Sequence, residues 1–185
     1  MKEKDELLLL HPESETTATK FTNVEEGDVQ PNAIDLRLDK VFSIDQSIFV
    51  LDDDQKVHRN KTPVEPDKDG YFWLDPGHYE VIMKNVITVG ENEAGFVITR
   101  STLNRNGIFL TSGLYDSGYD GLMAGVLHVN CGKAKIMKGA RIGQYLNFES
   151  ESKFMYDGDY GLGKEHDQIY VNFSEVKPED VPSEN

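Results

Sequence analysis

One short segment in the second half of the sequence combines a carboxylate, aromatic side chains and glycines. Residues 113–121 read Gly-Leu-Tyr-Asp-Ser-Gly-Tyr-Asp-Gly, between segments that alternate apolar and polar residues as strands do. Glycine allows positive φ and a close approach of the main chain, so such a turn could contact a flat ligand. Asp116 is then a candidate general base and Tyr119 a candidate platform for a sugar or a base. Alternatively, Asp116 only accepts hydrogen bonds from turn amides.

A second segment has the residues needed to bind an anion. Residues 101–107 begin with Ser101 and end with Gly107, which predicts about one and a half turns of helix. Free N–H groups at the start of a helix, together with the Arg100 guanidinium and the Ser101 hydroxyl, favour a negatively charged ligand. An ordinary helix cap beside a surface arginine would give the same pattern.

The elements that must position these segments are mostly strands. Short runs with strand-like alternation recur about every ten residues between residues 33 and 148, which is typical of an all-β barrel or sandwich with one short helix. Residues 1–12 are predicted as a short helix that ends near Pro12. Residues 13–30 are predicted as a linker or loosely packed lead-in, residues 52–69 as a long surface loop, and residues 176–185 as disordered.

Composition narrows the class of protein. The 185 residues, of which 38% are hydrophobic, suffice for one domain with a core. The net charge of −14 opposes binding to nucleic acid or to an anionic membrane. The single cysteine, Cys131, excludes an intrachain disulfide and is compatible with the cytoplasm. The apolar run at residues 7–10 is too short for a signal peptide, and no stretch is long enough to span a bilayer.

Five segments, in the same order, resemble the motifs of the trimeric dUTPases and of the related dCTP deaminases. They are residues 30–38, 99–107, 113–121, 139–144 and 164–168, with a similar turn at residues 74–77. The resemblance covers about residues 28–170 and implies a distorted β-barrel or jelly roll that assembles as a homotrimer. Residues 1–27 would be a helix and lead-in before this domain, and residues 171–185 an acidic, disordered tail after it.

The resemblance also implies a role for each matching residue. Asp116 would deprotonate the water that attacks the α-phosphorus, so that dUTP becomes dUMP and pyrophosphate. Tyr119 would pack beneath the deoxyribose, or would simply cover the barrel end. The nucleotide-binding residues that the resemblance implies are Arg100, Ser101, Thr102, Arg105, Gly113, Tyr119, Val126, Gln144, Lys164 and Gln168.

Two of these assignments leave an alternative open. Gln144 lies in an apolar strand, where a buried amide needs a partner, either the ligand or a neighbouring main chain. Lys164 and Gln168 follow a glycine-rich stretch, which could close over bound phosphates as a lid or be a flexible connector. Magnesium is implied by the resemblance and would ride on the triphosphate oxygens. Asp35 could hold it through water, or be structural.

The branch of the family depends on one strand. The dCTP deaminases need a proton-transferring glutamate on the strand after the third motif, where this chain has Val126, or Leu127 if one residue is inserted. Neither side chain can move a proton. His128 is expected on the same face as Val126, where it could take the place of the glutamate or be structural. The sequence therefore predicts a dUTPase; the alternatives are a dCTP deaminase and a non-catalytic nucleotide-binding regulatory trimer. A pyrimidine with a C5 substituent is an open alternative to uracil.

Overall fold

The computed structural model describes residues 8–172, with side chains up to Tyr170, and fifteen strands and two helices lie in this part of the chain. The strands are β1 (Leu9–Leu10), β2 (Lys20–Phe21), β3 (Val29–Gln30), β4 (Ala33–Ile44), β5 (Val50–Leu51), β6 (Lys56–Val57), β7 (Lys61–Pro63), β8 (Tyr71–Leu74), β9 (Gly77–Thr88), β10 (Glu93–Thr99), β11 (Ile108–Thr111), β12 (Leu114–Tyr115), β13 (Asp120–Val129), β14 (Ala134–Met137) and β15 (Arg141–Glu149). The helices are α1 (Ser101–Asn104) and α2 (Glu165–Asn172).

One antiparallel sheet forms the body of the protein. Its strand order is β11-β13-β9-β4-β15-β10-β12. Outside this order, β1 pairs with β15, β2 with β9, and both β3 and β7 with β4. The first half of β4 pairs with β15 and its second half with β9, so the sheet curls across this strand. Register shifts after Leu38 and after Arg141 mark the bend, as β-bulges commonly do. The all-β prediction with a distorted barrel is confirmed.

Side-chain hydroxyls join β10 to β11 and close the curl. Thr99 Oγ1 accepts a hydrogen bond from Leu110 N at 2.7 Å and donates one to Leu110 O at 3.0 Å. Ser112 Oγ accepts a hydrogen bond from Val97 N at 2.9 Å. These bonds take the place of a main-chain ladder, so the backbone groups at this edge are satisfied without a continuous strand pairing.

The core follows from the alternation of the long strands. Ile34, Leu36 and Leu38 alternate along β4 and are fully buried, as are Met83 on β9 and Met123 on β13. Because Ala33 and Asp35, on the alternate positions, are also buried, the first part of β4 is covered on both faces. A second, smaller apolar cluster forms where α2 lies on the sheet; its buried members are Phe42, Ile82 and Tyr170.

The N-terminal prediction is wrong for the residues that can be compared. Leu9–Leu10 is a strand in which Leu9 pairs with Phe148 of β15, so residues 8–12 do not form a helix. The unpaired backbone groups of β15 offer this apolar run a partner that an isolated helix would lack. Residues 1–7, like the predicted disordered segment 176–185, lie outside the described residues.

The predicted lead-in is not loosely packed. Thr19 and Asp28 are fully buried, and the Glu93 carboxylate accepts hydrogen bonds from Ala18 N at 2.7 Å and Thr19 N at 2.9 Å. Burial alone would raise the pKa of Glu93, but hydrogen bonds from Thr19 and Asn147, with those backbone groups, lower it below its usual value. The buried Glu93 carboxylate thus ties residues 18 and 19 to the sheet, a contact that the polar sequence did not indicate.

The predicted surface loop also contains regular structure. Residues 52–69 include β6, which pairs with β5 in a small hairpin, and β7, which pairs with the end of β4. The hairpin exposes Ile48, Leu51 and Val57 to solvent. Among the described residues, no helix is long and apolar enough to cross a membrane.

Candidate active site

Two predicted binding residues meet at a buried carboxylate. Asp35 is fully buried on β4 and pairs in register with Gln144 on β15. Its Oδ1 accepts a hydrogen bond from Gln144 Nε2 at 2.9 Å, and its Oδ2 lies 3.2 Å from Arg100 Nε and 3.3 Å from Arg141 Nη1. We call these four residues the Asp35 cluster. The partner of the Gln144 amide is therefore a carboxylate, which neither alternative from the sequence had included.

Helix α1 begins beside the Asp35 cluster. It is a single turn whose N-cap, Arg100, makes no side-chain capping hydrogen bond, so its dipole contributes little. The predicted helix exists but is shorter than expected. Ser101, Thr102 and Arg105 are exposed on it, which leaves two hydroxyls and a guanidinium open to a ligand. An anion bound here would be held mainly by cationic side chains.

Asp116 has a carboxylate that is free to act. Its backbone oxygen accepts a hydrogen bond from Tyr119 N at 3.0 Å, and Gly118 at the third position has φ 83°, as a type II turn requires. Within residues 8–170, no group donates a hydrogen bond to the exposed Asp116 carboxylate. The turn is thus closed by main-chain groups, and the alternative in which this carboxylate satisfies turn amides does not hold.

A cleft lies beside Asp116. It has a volume of ≈ 650 Å³ and is lined by Ala94, Leu114 and the segment 150–158 as well as by Asp116 itself. This volume is within the range of about 300–1,000 Å³ that is usual for small-molecule sites. The cleft is therefore large enough for a nucleotide.

Tyr119 is not an open platform. Only 7% of Tyr119 is exposed, and its hydroxyl donates a hydrogen bond to Leu122 O at 2.7 Å. Its ring meets those of Tyr115 and Tyr156 edge to face, with centroids 5.3 and 5.4 Å away. Burial raises the pKa of this phenol above its ordinary range. Of the two interpretations from the sequence, a cover for the barrel end agrees with this placement.

The predicted anion-binding residues and Asp116 lie at opposite ends of β10. Ala94, near the start of this strand, lines the cleft of Asp116, and Gly95 pairs with Tyr115 beside it. Arg100 comes six residues after Ala94, just beyond the other end of the strand. At about 3.3 Å per residue, the two ends are about 20 Å apart. Within one chain, Asp116 and Arg100 therefore do not face the same phosphorus atom.

The strand at the deaminase position carries no free carboxylate. Val126 and His128 line one cleft of ≈ 580 Å³, as their alternation predicted. His128 Nε2 lies 3.0 Å from Thr111 Oγ1, and its Nδ1 lies 2.9 Å from His78 Nδ1. Burial, with a smaller effect from neighbouring His78, lowers the pKa of His128. This imidazole is thus held in a hydrogen-bonded pair.

One carboxylate near this position was missed by the sequence analysis. Glu80 on β9 pairs directly with Val126 in register, and directly paired residues share one face of a sheet. Its Oε2 lies 2.6 Å from Lys61 Nζ, and its Oε1 accepts a hydrogen bond from the Tyr170 hydroxyl at 2.8 Å. Only the cross-strand register, which the sequence does not specify, places Glu80 here. Its oxygens are already engaged.

The C-terminal segment packs on the sheet of its own chain. Lys164 Nζ lies 3.5 Å from Asp157 Oδ1, and both Lys164 and Gln168 are exposed. Leu162 N donates a hydrogen bond to Asp120 O at 2.8 Å, which ties the segment to the end of the third motif. A Cβ at Gly121 would lie 2.7 Å from Gly161 Cα, so this approach requires glycine. Neither Lys164 nor Gln168 joins the Asp35 cluster.

The described residues do not provide a resident magnesium site. Asp35, considered from the sequence as a water-mediated ligand, is fully buried and already engaged with Arg100, Arg141 and Gln144. No group of three or more His, Cys, Asp and Glu side chains within residues 8–170 is placed to hold a metal ion. The Asp35 carboxylate therefore does not fit the role of a metal ligand.

Comparisons with known proteins agree with this architecture. A family model described as dCTP deaminase-like matches residues 3–150. A probable deoxyuridine 5'-triphosphate nucleotidohydrolase of Halobacterium salinarum is 33% identical over 142 residues, which cover 74% of this chain and 85% of that protein. The deoxyuridine 5'-triphosphate nucleotidohydrolase of Methanocaldococcus jannaschii is 34% identical over 148 residues, covering 78% and 94%.

A solved structure shares the fold. The dCTP deaminase of Agrobacterium tumefaciens superposes with a TM-score of 0.57 at 16% identity, over 85% of this chain. This chain spans 48% of the length of that deaminase. The family model alone covers most of the sequence, from residue 3 to residue 150. The chain therefore belongs to the dCTP deaminase-like family, within the superfamily of dUTPases and dCTP deaminases.

Proposed function

We propose that this protein is a deoxynucleoside triphosphate pyrophosphohydrolase that converts dUTP into dUMP and pyrophosphate. The observation that carries the proposal is the exposed, unpaired carboxylate of Asp116, in the turn of the third motif beside a cleft of ≈ 650 Å³. Relatives at 33% and 34% identity that bear the name of dUTP nucleotidohydrolases support the same substrate.

Asp116 would act as the general base. A water hydrogen-bonded to its carboxylate gives up a proton as the water oxygen attacks the α-phosphorus. The bond from the α-phosphorus to the bridging oxygen then breaks, and pyrophosphate leaves. Arg100 and Arg105, with the hydroxyls of Ser101 and Thr102, would hold the phosphate charge. Magnesium would come with the triphosphate of the substrate and neutralise part of that charge.

The distance between the two groups supports a site shared between subunits. Because Asp116 and Arg100 lie about 20 Å apart along β10, one chain cannot apply both to one reacting phosphate. We infer a homotrimer in which Asp116 of one subunit faces the Arg100 end of a neighbour. A heterologous contact of this kind closes into a ring under threefold symmetry.

Mixing two inactive variants tests the shared site. Asp116→Asn and Arg100→Ala should each be nearly inactive alone, because each lacks one half of every site. Co-refolded in equal amounts, they should regain about one quarter of wild-type turnover, since about one site in four then combines two intact halves. Pyrophosphate release, measured before and after co-refolding, is the readout.

The control for this experiment is a pair of variants that cannot form an intact site when they are mixed. Asp116→Asn co-refolded with a chain that carries both substitutions contains no intact site and should stay inactive. If the mixture of single variants also stays inactive while native mass spectrometry shows mixed trimers, both halves act within one chain and the shared-site proposal is wrong.

The hydrolase proposal is separated from deamination by a substrate panel. We expect dUTP to yield dUMP and pyrophosphate, and dCTP to yield no ammonia, because Val126 cannot transfer a proton and Glu80 is held by Lys61 and Tyr170. Chromatography of the products and an ammonia assay are the measurements. Ammonia from dCTP would favour the deaminase. Turnover of a C5-substituted deoxyuridine triphosphate, but not of dUTP, would keep Asp116 as the base and change the substrate.

A further inference from the structure

A half-open cavity lies between the third motif and helix α2. Its volume is ≈ 270 Å³, and we call it the α2 cavity. One wall comes from the third motif, with Gly113, Tyr115 and Tyr119, and the facing wall comes from α2. The volume is slightly below the usual range of small-molecule sites, about 300–1,000 Å³, so the cavity would hold part of a nucleotide rather than all of it.

One carboxyl oxygen in the wall of this cavity has no partner. Asp167 on α2 lines the cavity and is only 6% exposed, and its Oδ2 makes no hydrogen bond. The Nδ1 atom of neighbouring His166 is also buried without a partner. A buried polar atom without a hydrogen bond costs about 1–3 kcal/mol, so such an atom usually has a partner, either an ordered water or a ligand.

The other acid in the wall also has a buried oxygen without a hydrogen bond, Glu80 Oε2, but this oxygen has an ion-pair partner. Glu80 is neutralised by Lys61 at 2.6 Å and accepts a hydrogen bond from the Tyr170 hydroxyl at 2.8 Å. These contacts hold α2 against the sheet. The unused hydrogen-bonding capacity of the α2 cavity therefore lies at Asp167 and His166.

The α2 cavity adjoins the cleft of Asp116. Leu114 and Tyr156 line both spaces, so they form a shared wall. A nucleotide with its α-phosphate beside Asp116 could direct its base past this wall into the α2 cavity. The size of the cavity and its position both suit a single ring.

From these observations, we propose that Asp167 is a specificity-determining residue that hydrogen-bonds the polar edge of a pyrimidine base held in the α2 cavity. This inference rests on the proposed function, because it takes the nucleotide of the Asp116 cleft as its ligand. It assigns base recognition to a side chain of α2.

Burial favours the neutral form of the Asp167 carboxyl group. Burial raises the pKa of Asp167, and the backbone N–H groups of Gly161 and Leu122 only partly oppose the shift. A neutral carboxyl group presents an O–H donor beside a C=O acceptor. The N3–H and O4 groups of uracil present the complementary pair. Asparagine offers the same donor and acceptor without a charge, whereas leucine offers neither.

Two substitutions at Asp167 test the proposal by calorimetric titration with dUMP and, separately, with pyrophosphate. Asp167→Leu should weaken dUMP binding at least about tenfold, because the base loses its partner, and should leave pyrophosphate binding within about twofold. Asp167→Asn should bind both ligands within about threefold of the wild type. Glu165→Gln, an exposed change on the same helix, is the control and should change neither affinity.

Several outcomes would overturn the inference. Unchanged dUMP binding in Asp167→Leu, or an equal loss of dUMP and pyrophosphate, would give Asp167 no role in reading the base. A folded Asp167→Asn that loses dUMP as strongly as the leucine variant would exclude recognition by a neutral carboxyl group. If Asp167→Leu does not fold, the affinity of Asp167→Asn for dUMP is the measurement that tests the inference. A wild type that turns over dUTP while both variants bind dUMP normally refutes this inference alone; a wild type that neither binds dUMP nor hydrolyses dUTP refutes the proposed function as well.

Discussion

Asp116→Asn is expected to lower the rate of dUTP hydrolysis by about 10²–10⁴, because the attacking water loses its general base. The affinity for nucleotide should remain nearly that of the wild type, since asparagine keeps the size of the side chain and the turn is closed by main-chain groups. Single-turnover pyrophosphate release and the dissociation constant of a non-hydrolysable dUTP analogue are the two measurements.

Glu151→Gln is the matched control for this change. Glu151 is an exposed carboxylate that lines the same cleft as Asp116, so its removal alters the charge of the cleft by the same amount. We expect its turnover to stay within about threefold of the wild type, as exposed charges interact weakly through water. Wild-type turnover in Asp116→Asn would make Asp116 a turn residue and refute the mechanism. An equal loss in Glu151→Gln would mean that charge alone matters.

The strand content was predictable because alternation is a local property. Ile34, Leu36 and Leu38 alternate in the sequence, and their side chains point from β4 into the core of the protein, as this pattern predicts. The length of β4 was not predictable, since it continues to Ile44 through a bulge after Leu38. A bulge has no sequence signature at that point apart from polar Asp39 and Lys40.

The candidate site was only partly predictable from the sequence, because some of its features are local and others depend on which strands pair. Asp116 and Gly118 belong to one turn of four residues, and the local sequence alone indicates this turn. The pairing of Gln144 with Asp35 depends on the register of two strands more than a hundred residues apart in the chain. The position of Glu80 opposite Val126 likewise depends on register. A motif supplies residue types, whereas the partners of those residues come from tertiary structure.

The lead-in and the C-terminal helix also contain buried polar residues that the sequence does not identify. Residues 17–28 are mostly polar, which usually indicates a loop, yet Thr19 and Asp28 are fully buried and Glu93 accepts hydrogen bonds from Ala18 N and Thr19 N. Asp167 stands in a polar run with Glu165 and His166, in which every residue suits an exposed surface. Helical periodicity alone, with its weak apolar face, does not indicate that Asp167 is the one turned inward.

Asp35→Asn is expected to lower the free energy of unfolding by about 3 kcal/mol, the lower end of the cost of breaking a buried ion pair. The lower end applies because the side chains of Arg100 and Arg141 remain 26% and 35% exposed, so water partly compensates for the lost charge. For a chain of this size, the loss corresponds to a fall in Tm of about 6–12 °C. Thermal unfolding at neutral pH, monitored by circular dichroism, measures it.

Asp39→Asn supplies the comparison for Asp35→Asn on the same strand. Asp39 lies 3.1 Å from Lys138 with its side chain 30% exposed, and the lysine side chain is 51% exposed. A surface pair of this kind contributes at most about 1 kcal/mol, so the fall in Tm should be no more than about 4 °C. Equal Tm values for the two variants would mean that the Asp35 cluster does not stabilise the fold. A fall confined to Asp35→Asn, with a raised KM for dUTP, would show that Asp35 both stabilises β4 against β15 and holds Arg100 in position for the phosphates.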